Sequence, residues 1–209
     1  MGSEEIFEEE NLIIKRFDNP SAISFRAKED RVRQVVTCVH VPPLAYRHEK
    51  VLPIGLQIPV NAYKKGGTNF SSLQGEVESD ESTFVALKRE ASEEYGLKGA
   101  DIFGMKYLLS TRIPVSPNYP KAEHWDYQWL HWFFLRTVRS IRPNPESVEK
   151  FDWFAGPTAV FDAMATAREE KLCALAVAIN AAVDQEDLPA EYAEFADLSK
   201  YRPKDSEAA

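Results

Sequence analysis

The stretch GEVESDESTFVALKREASEEYGL, Gly75 to Leu97, places an array of carboxylates and an arginine on what its spacing predicts to be a short helix. Asp80 or Ser82 can cap that helix by accepting from its unpaired N–H groups, and Gly96 can take the left-handed conformation that ends it. The spacing predicts a helix from about Glu81 to Tyr95. At 100° per residue Glu90, Glu93 and Glu94 fall at i, i+3 and i+4 on one face, with Phe84, Leu87 and Ala91 as an apolar stripe beside them. Carboxylates this close repel one another, so a folded chain holds them together when something positive joins them. A divalent hard cation suits oxygen ligands. Arg89, four residues before Glu93, can hold that carboxylate without neutralising all three. Taken by themselves, three glutamates at this spacing also fit a solvated acidic face.

The flanking residues favour the cation. With U for an aliphatic residue, the stretch follows G-x5-E-x7-R-E-U-x-E-E-x-G-U at Gly75, Glu81, Arg89, Glu90, Ala91, Glu93, Glu94, Gly96 and Leu97, with Ala91 small for its slot. This pattern resembles the signature of the Nudix hydrolases. One departure precedes it, since Gln74 stands where the family commonly has the first of two glycines.

The resemblance implies an α/β fold, an α/β/α sandwich with a mixed sheet and a catalytic loop-helix. It implies an enzyme, a pyrophosphohydrolase that cuts a diphosphate linkage in a nucleoside diphosphate joined to another group, with Mg2+ or Mn2+ as cofactor. Glu90 and Glu94 are the implied metal ligands, with the Gly75 carbonyl as a third. Glu93 is the implied general base, or a ligand through water. Glu81 and Arg89 are implied to brace the loop and the acid helix. Two other readings stay open, a nucleotide-sensing module without catalysis and an enzyme for a prenyl or inositol pyrophosphate. The substrate is not fixed, because specificity lies in variable loops.

Working outward, 209 residues with 44% hydrophobic and 28% charged composition suit one globular domain with a sizeable core. The net charge of −8 argues against a nucleic-acid-binding surface, which needs clustered Lys and Arg. Residues 184–209 alone carry eight acids against three bases. We expect three parts: an acidic segment with a first strand over 1–30, the hydrolase domain over 31–183, and an acidic tail over 184–209. No long apolar run or signal-peptide pattern occurs, so a cytoplasmic protein with no membrane association is expected, although Gly2-Ser3 is compatible with a trimmed leader. The expected partner is a small-molecule diphosphate, and a homodimer is left open. Cys38 and Cys173 lack paired spacing and read as buried thiols.

Along the chain, Asn11–Phe17 and the β-branched run Arg33–Val41 read as strands, the second central and carrying a core His40. Lys50–Val60 reads as an edge or split strand because of Pro53 and Pro59. Lys64-Lys65-Gly66-Gly67 reads as a turn, with phosphate contact as one use of it. Asp101–Ser110 and Tyr127–Val138 read as strands on either side of a proline-broken loop from Arg112 to Asp126. A loop of that length is usually functional, so Arg112 and Trp125, with Tyr119 and His124, are candidate substrate contacts: a cation for phosphate and an aromatic face for a base. For Trp125 a core position is the competing reading, and it is favoured for Trp129 and Trp132. Glu146 and Glu149 lie in a polar loop at roughly the place where the resemblance implies a further acid for the metal. Phe151–Phe154 reads as a short strand, and Phe161–Val183 as one long amphipathic helix.

Overall fold

A computed structural model describes residues 3–9, 12–20, 31–42, 52–63, 70–117, 119, 122–138, 141–164, 167–190 and 192. The strands are β1 (Ser3–Glu9), β2 (Leu12–Phe17), β3 (Val32–Val41), β4 (Ile54–Pro59), β5 (Gln74–Glu76), β6 (Ile102–Pro114), β7 (Tyr127–Thr137) and β8 (Val148–Phe154). The helices are α1 (Val60–Tyr63), α2 (Thr83–Tyr95), α3 (Gly156–Ala163) and α4 (Glu169–Asp184). The strands form one mixed sheet in the order β1-β2-β6-β7-β3-β4-β8, with the short β5 added to β3. Among the described residues only β3 and β7 run parallel, from Val32 opposite Tyr127 to Val41 opposite Arg136.

The β-branched run of β3 is buried on both faces because a layer lies on each side. Its odd residues Val35, Val39 and Val41 join Leu130, Trp132, Phe134 and the Ala-rich side of α4. Its even residues Val36 and Cys38 join Phe133, Leu135 and the Ala86, Leu87, Ala91 and Tyr95 side of α2. The α/β/α sandwich follows directly from this period-two split. Cys38 and Cys173 are both buried and free, and His40 is buried against the Tyr95 ring at 5.4 Å.

Three expectations need correction. The strand expected first, at Asn11–Phe17, is the second: Ser3–Glu9 precedes it as a strand paired antiparallel with β2, where Lys15 meets Glu5 at 2.9 Å and Arg16 meets Glu4 at 3.6 Å. Cross-strand cations thus offset the repulsion that acid-rich sequence suggested. Arg112 is not in a loop, because β6 continues to Pro114 and pairs Arg112 with Trp129 on β7. The long helix is two, since the N–H of Phe70 takes the carbonyl of Ala163 at 3.3 Å and Arg168 is extended at φ −62° and ψ 143° before α4. The apolar period runs through this break, so periodicity alone could not reveal it. The Lys64–Gly67 turn and residues beyond 192 lie outside the described residues.

Candidate active site

Strand β5 adds to β3 with Gly75 opposite Val36, and the chain then turns into α2. Ser82, extended at φ −84° and ψ 161°, caps the helix by accepting from the N–H of Val85. Gly96 at φ 63° ends it, and the Leu97 N–H reaches back to the Ala91 carbonyl at 3.1 Å. The last-turn carbonyls are also used. Asn144 donates its backbone N–H to Glu94 at 2.8 Å and its side-chain amide to the Glu93 carbonyl at 3.0 Å, and the Arg142 N–H reaches Tyr95 at 3.0 Å. Both ends of the acid helix are therefore anchored.

Arg89 is the brace. It donates to Glu81 through Nη2 at 2.6 Å and Nε at 3.2 Å, to Glu90 at 2.6 Å, and to the backbone carbonyl of Glu76 at 2.8 Å. Its contact with Glu93 is longer than these, 3.4 Å to a carboxylate 57% exposed. The expected Arg89–Glu93 pair is thus a minor part of a fork that joins the helix to Glu81 and to β5. Burial pushes the Glu81 carboxyl up, but the Arg89 bond and charge and the Glu78 N–H outweigh it and leave it below its usual range. The bond to Glu81, ahead of the opposing burial and with the further bond and charge of Glu90, holds the Arg89 guanidinium protonated more firmly than usual.

The two inner acids, unlike Glu81, are both pushed up. Glu90 lies directly on Gly75: a Cβ there would fall 1.8 Å from its carboxyl carbon. Burial raises its pKa, with Arg89 opposing and Glu93 and Glu81 adding to the rise. Glu94 is raised to about 7, chiefly by burial and also by the charges of Glu90 and Glu93, against a hydrogen bond from Gln57. That bond runs from Gln57 Nε2 to Glu94 Oε2 at 2.6 Å.

Two partly buried acids pushed up chiefly by burial, one of them set against a glycine backbone, form an oxygen-donor group suited to a hard divalent cation. As the side chains stand, Glu90 is turned to Arg89 and Glu94 to Gln57, and no group of three His, Cys, Asp or Glu among the described residues is placed to hold an ion. The residues able to supply ligands are Glu90, Glu94 and the carbonyl of Gly75.

The candidate substrate residues lie apart from these acids. Arg112 stacks over the Tyr127 ring at 4.8 Å, and Trp125 is half-buried after the short 3-10 helix Ala122–His124. No described contact joins either to Glu90 or Glu94. Their loop is nevertheless tied to β3: Arg31 donates to the Glu123 carbonyl at 2.8 Å and pairs with Asp126 at 3.0 Å, and Arg33 lies 4.2 Å over the Tyr119 ring. Arg33 also pairs with Glu76 at 3.2 Å, beside Gly75, so the loop reaches the rim of the site through that residue. Trp132 is core, its indole N–H donating to Thr111 at 3.0 Å. Glu146 and Glu149 are exposed. Sequence reasoning missed Gln57 and Asn144. The one signal for Gln57 was an amide between Leu56 and Ile58 in an otherwise apolar strand.

A family model described as NUDIX domain matches residues 56–175. No curated protein matches the chain. A crystal structure of a putative NUDIX hydrolase from Listeria monocytogenes is 18% identical with a TM-score of 0.53, covering 74% of this chain and 96% of that one. An Ap4A hydrolase binary complex from C. elegans is 9% identical with a TM-score of 0.50, covering 75% and 99%. At these identities the two structures show the shared fold.

Proposed function

This chain belongs to the Nudix hydrolase family, its model matching residues 56–175, and from that premise we propose that it cleaves a diphosphate linkage in a nucleoside diphosphate joined to another group, using Mg2+ or Mn2+. One observation carries the reading. Glu90 and Glu94 are partly buried acids, both pushed up chiefly by burial, with Glu90 lying on the Gly75 backbone and its charge adding to the rise at Glu94. In the cation-free protein this arrangement disfavours the ionised forms, and a bound divalent ion reverses that preference.

We assign Glu90, Glu94 and the Gly75 carbonyl to hold the ion. A divalent ion held there would supply charge neutralisation for the diphosphate and would acidify a water. The exposed Glu93, one helical turn from Glu90, takes the proton of the attacking water at its carboxylate. Glu81 and Arg89 fix Glu90 from behind, and the backbone bond of Arg89 to Glu76 keeps β5 at a constant distance from the helix. Arg112 and Trp125 contact the substrate outside its diphosphate, with the 115–126 loop shaping that end. The hydrolase domain spans residues 31–183 in this reading, and the protein acts in the cytoplasm on a small molecule. Among the described residues no helix is long and apolar enough to cross a membrane.

The test is a panel of diphosphates with Mg2+, including ADP-ribose, dinucleoside polyphosphates and prenyl and inositol pyrophosphates, read by release of phosphate or monophosphate. A nucleoside diphosphate derivative cleaved far faster than the rest is expected. Preference for a prenyl or inositol compound would refute the nucleotide assignment, and no cleavage anywhere on the panel would refute the enzymatic one.

A further inference from the structure

We infer that Gln57 on β4, which lies outside the signature, is a positioning residue that holds the Glu94 carboxylate beside Glu90. The inference rests on reading α2 as the ion-binding helix. Gln57 is fully buried, and its Nε2 donates to Glu94 Oε2 at 2.6 Å. Its own amide oxygen Oε1 is sealed from solvent and has no partner.

The backbone beneath it is held on both sides. The Gln57 N–H donates to the Ser71 carbonyl at 2.8 Å, and the Ser71 N–H returns to the Gln57 carbonyl at 2.7 Å. The β4 ladder to β8 pairs Gln57 with Phe151 on its other edge. The Cα of Gln57 is therefore fixed, and three single-bond rotations set its amide's direction toward α2.

A buried amide with an orphaned oxygen is an unfavourable choice for stability, because the desolvated carbonyl recovers nothing. Leu or Met would fill the same fully buried space without that loss. The single thing the amide does that an apolar side chain cannot is donate to Glu94. Without this bond the Glu94 carboxylate is pushed by the charges of Glu90 and Glu93 and is free to rotate away from them. Asn144 already fixes the Glu94 backbone from the other side. Gln57 completes the grip by fixing its side chain, as outer partners of metal ligands do.

The experiment compares wild type with Gln57→Leu and Gln57→Met, two fillings of the same volume, so that one survives if the other packs badly. Mn2+ uptake is titrated in the absence of substrate by electron paramagnetic resonance, beside metal-free melting temperature and the kcat and KM of the best panel substrate. Expected are an unchanged or higher melting temperature, Mn2+ binding weakened by about 10–100-fold, and a loss in kcat with KM little moved. In the Glu94→Gln background, Gln57→Leu should weaken Mn2+ binding no further, since its target is already gone. Wild-type Mn2+ affinity in both variants, or a full additive loss in the double variant, would overturn the assignment of Gln57 alone. A wild-type protein that takes up no Mn2+ would instead overturn the reading of α2, and this inference with it.

Discussion

Replacing Gly75 by alanine tests the closest approach in the site. The new Cβ would sit 1.8 Å from Glu90 Cδ and 2.0 Å from Oε1, whereas ordinary contacts begin at 3.4 Å, so the carboxyl carbon must retreat by about 1.6 Å. What yields is the end of a flexible side chain and not backbone, so the fold should survive. Retreat breaks the 2.6 Å bond from Arg89 to Glu90, whose side chain is only 12% exposed, at a cost of about 1–3 kcal/mol. The smaller entropy of the unfolded chain with alanine returns about 0.4–1 kcal/mol of that. Displacing a ligand by more than 1 Å typically costs about a hundredfold in rate. The expected phenotype of Gly75→Ala is therefore kcat down by about two orders of magnitude with only a few degrees lost in melting temperature. Gly104→Ala is the control, because nothing lies within 4 Å of a Cβ there. Steady-state hydrolysis with Mg2+ and calorimetric melting read both. Wild-type kcat in Gly75→Ala would show that Glu90 does not need its seat on β5, and the ligand assignment would fail with it.

Glu94 makes the metal-free protein pH-sensitive in a definite direction. Its folded pKa of about 7 exceeds its usual 4.5, so between these values the folded state holds a proton that the unfolded state has lost, and stability falls as pH rises through the window. Glu94→Gln should flatten that fall in melting temperature from pH 4.5 to 7, and a mutant curve parallel to wild type would refute the shift. Arg89→Ala removes the cation from a fork in which Arg89 is 24% exposed, leaving Glu90 without that partner and Glu81 with the Glu78 N–H alone; a loss of about 3 kcal/mol in denaturant unfolding is expected. A loss below 0.5 kcal/mol, roughly that of an ordinary surface change, would mean the brace is ornamental. Trp125→Ala should raise KM for a nucleotide substrate by a factor equivalent to about 1–3 kcal/mol while leaving the melting temperature nearly unchanged; a large stability loss would instead make Trp125 a core residue.

The sandwich was legible because β3 and β7 carry long β-branched and aromatic runs, and because the caps of α2 are spelled out by Ser82 and Gly96. The acids were legible for the same reason, their spacing being local. What escaped depends on contacts distant in sequence. Gln57 meets Glu94 across 37 positions, and Asn144 meets Glu93 across 51. Arg89 was paired with Glu93 by helical spacing, yet the turn before α2 brings Glu81 close enough to take both of its nearer nitrogens. The break between α3 and α4 follows from Phe70, whose N–H claims a carbonyl that a continuous helix would have needed.

The parallel pairing of β3 with β7 also dictates an order of events during synthesis. The signature leaves the ribosome complete at Leu97, but β3, against which Gly75 pairs, has no parallel neighbour until Thr137 has followed. Until then the acids of α2 have no finished floor, and a chain stopped short of Thr137 would carry every residue of the motif without the geometry that gives it meaning. The closing of that central ladder, which joins segments nearly a hundred residues apart, is the kind of long-range step that slows folding. The acid helix is thus made well before the ladder that completes its floor.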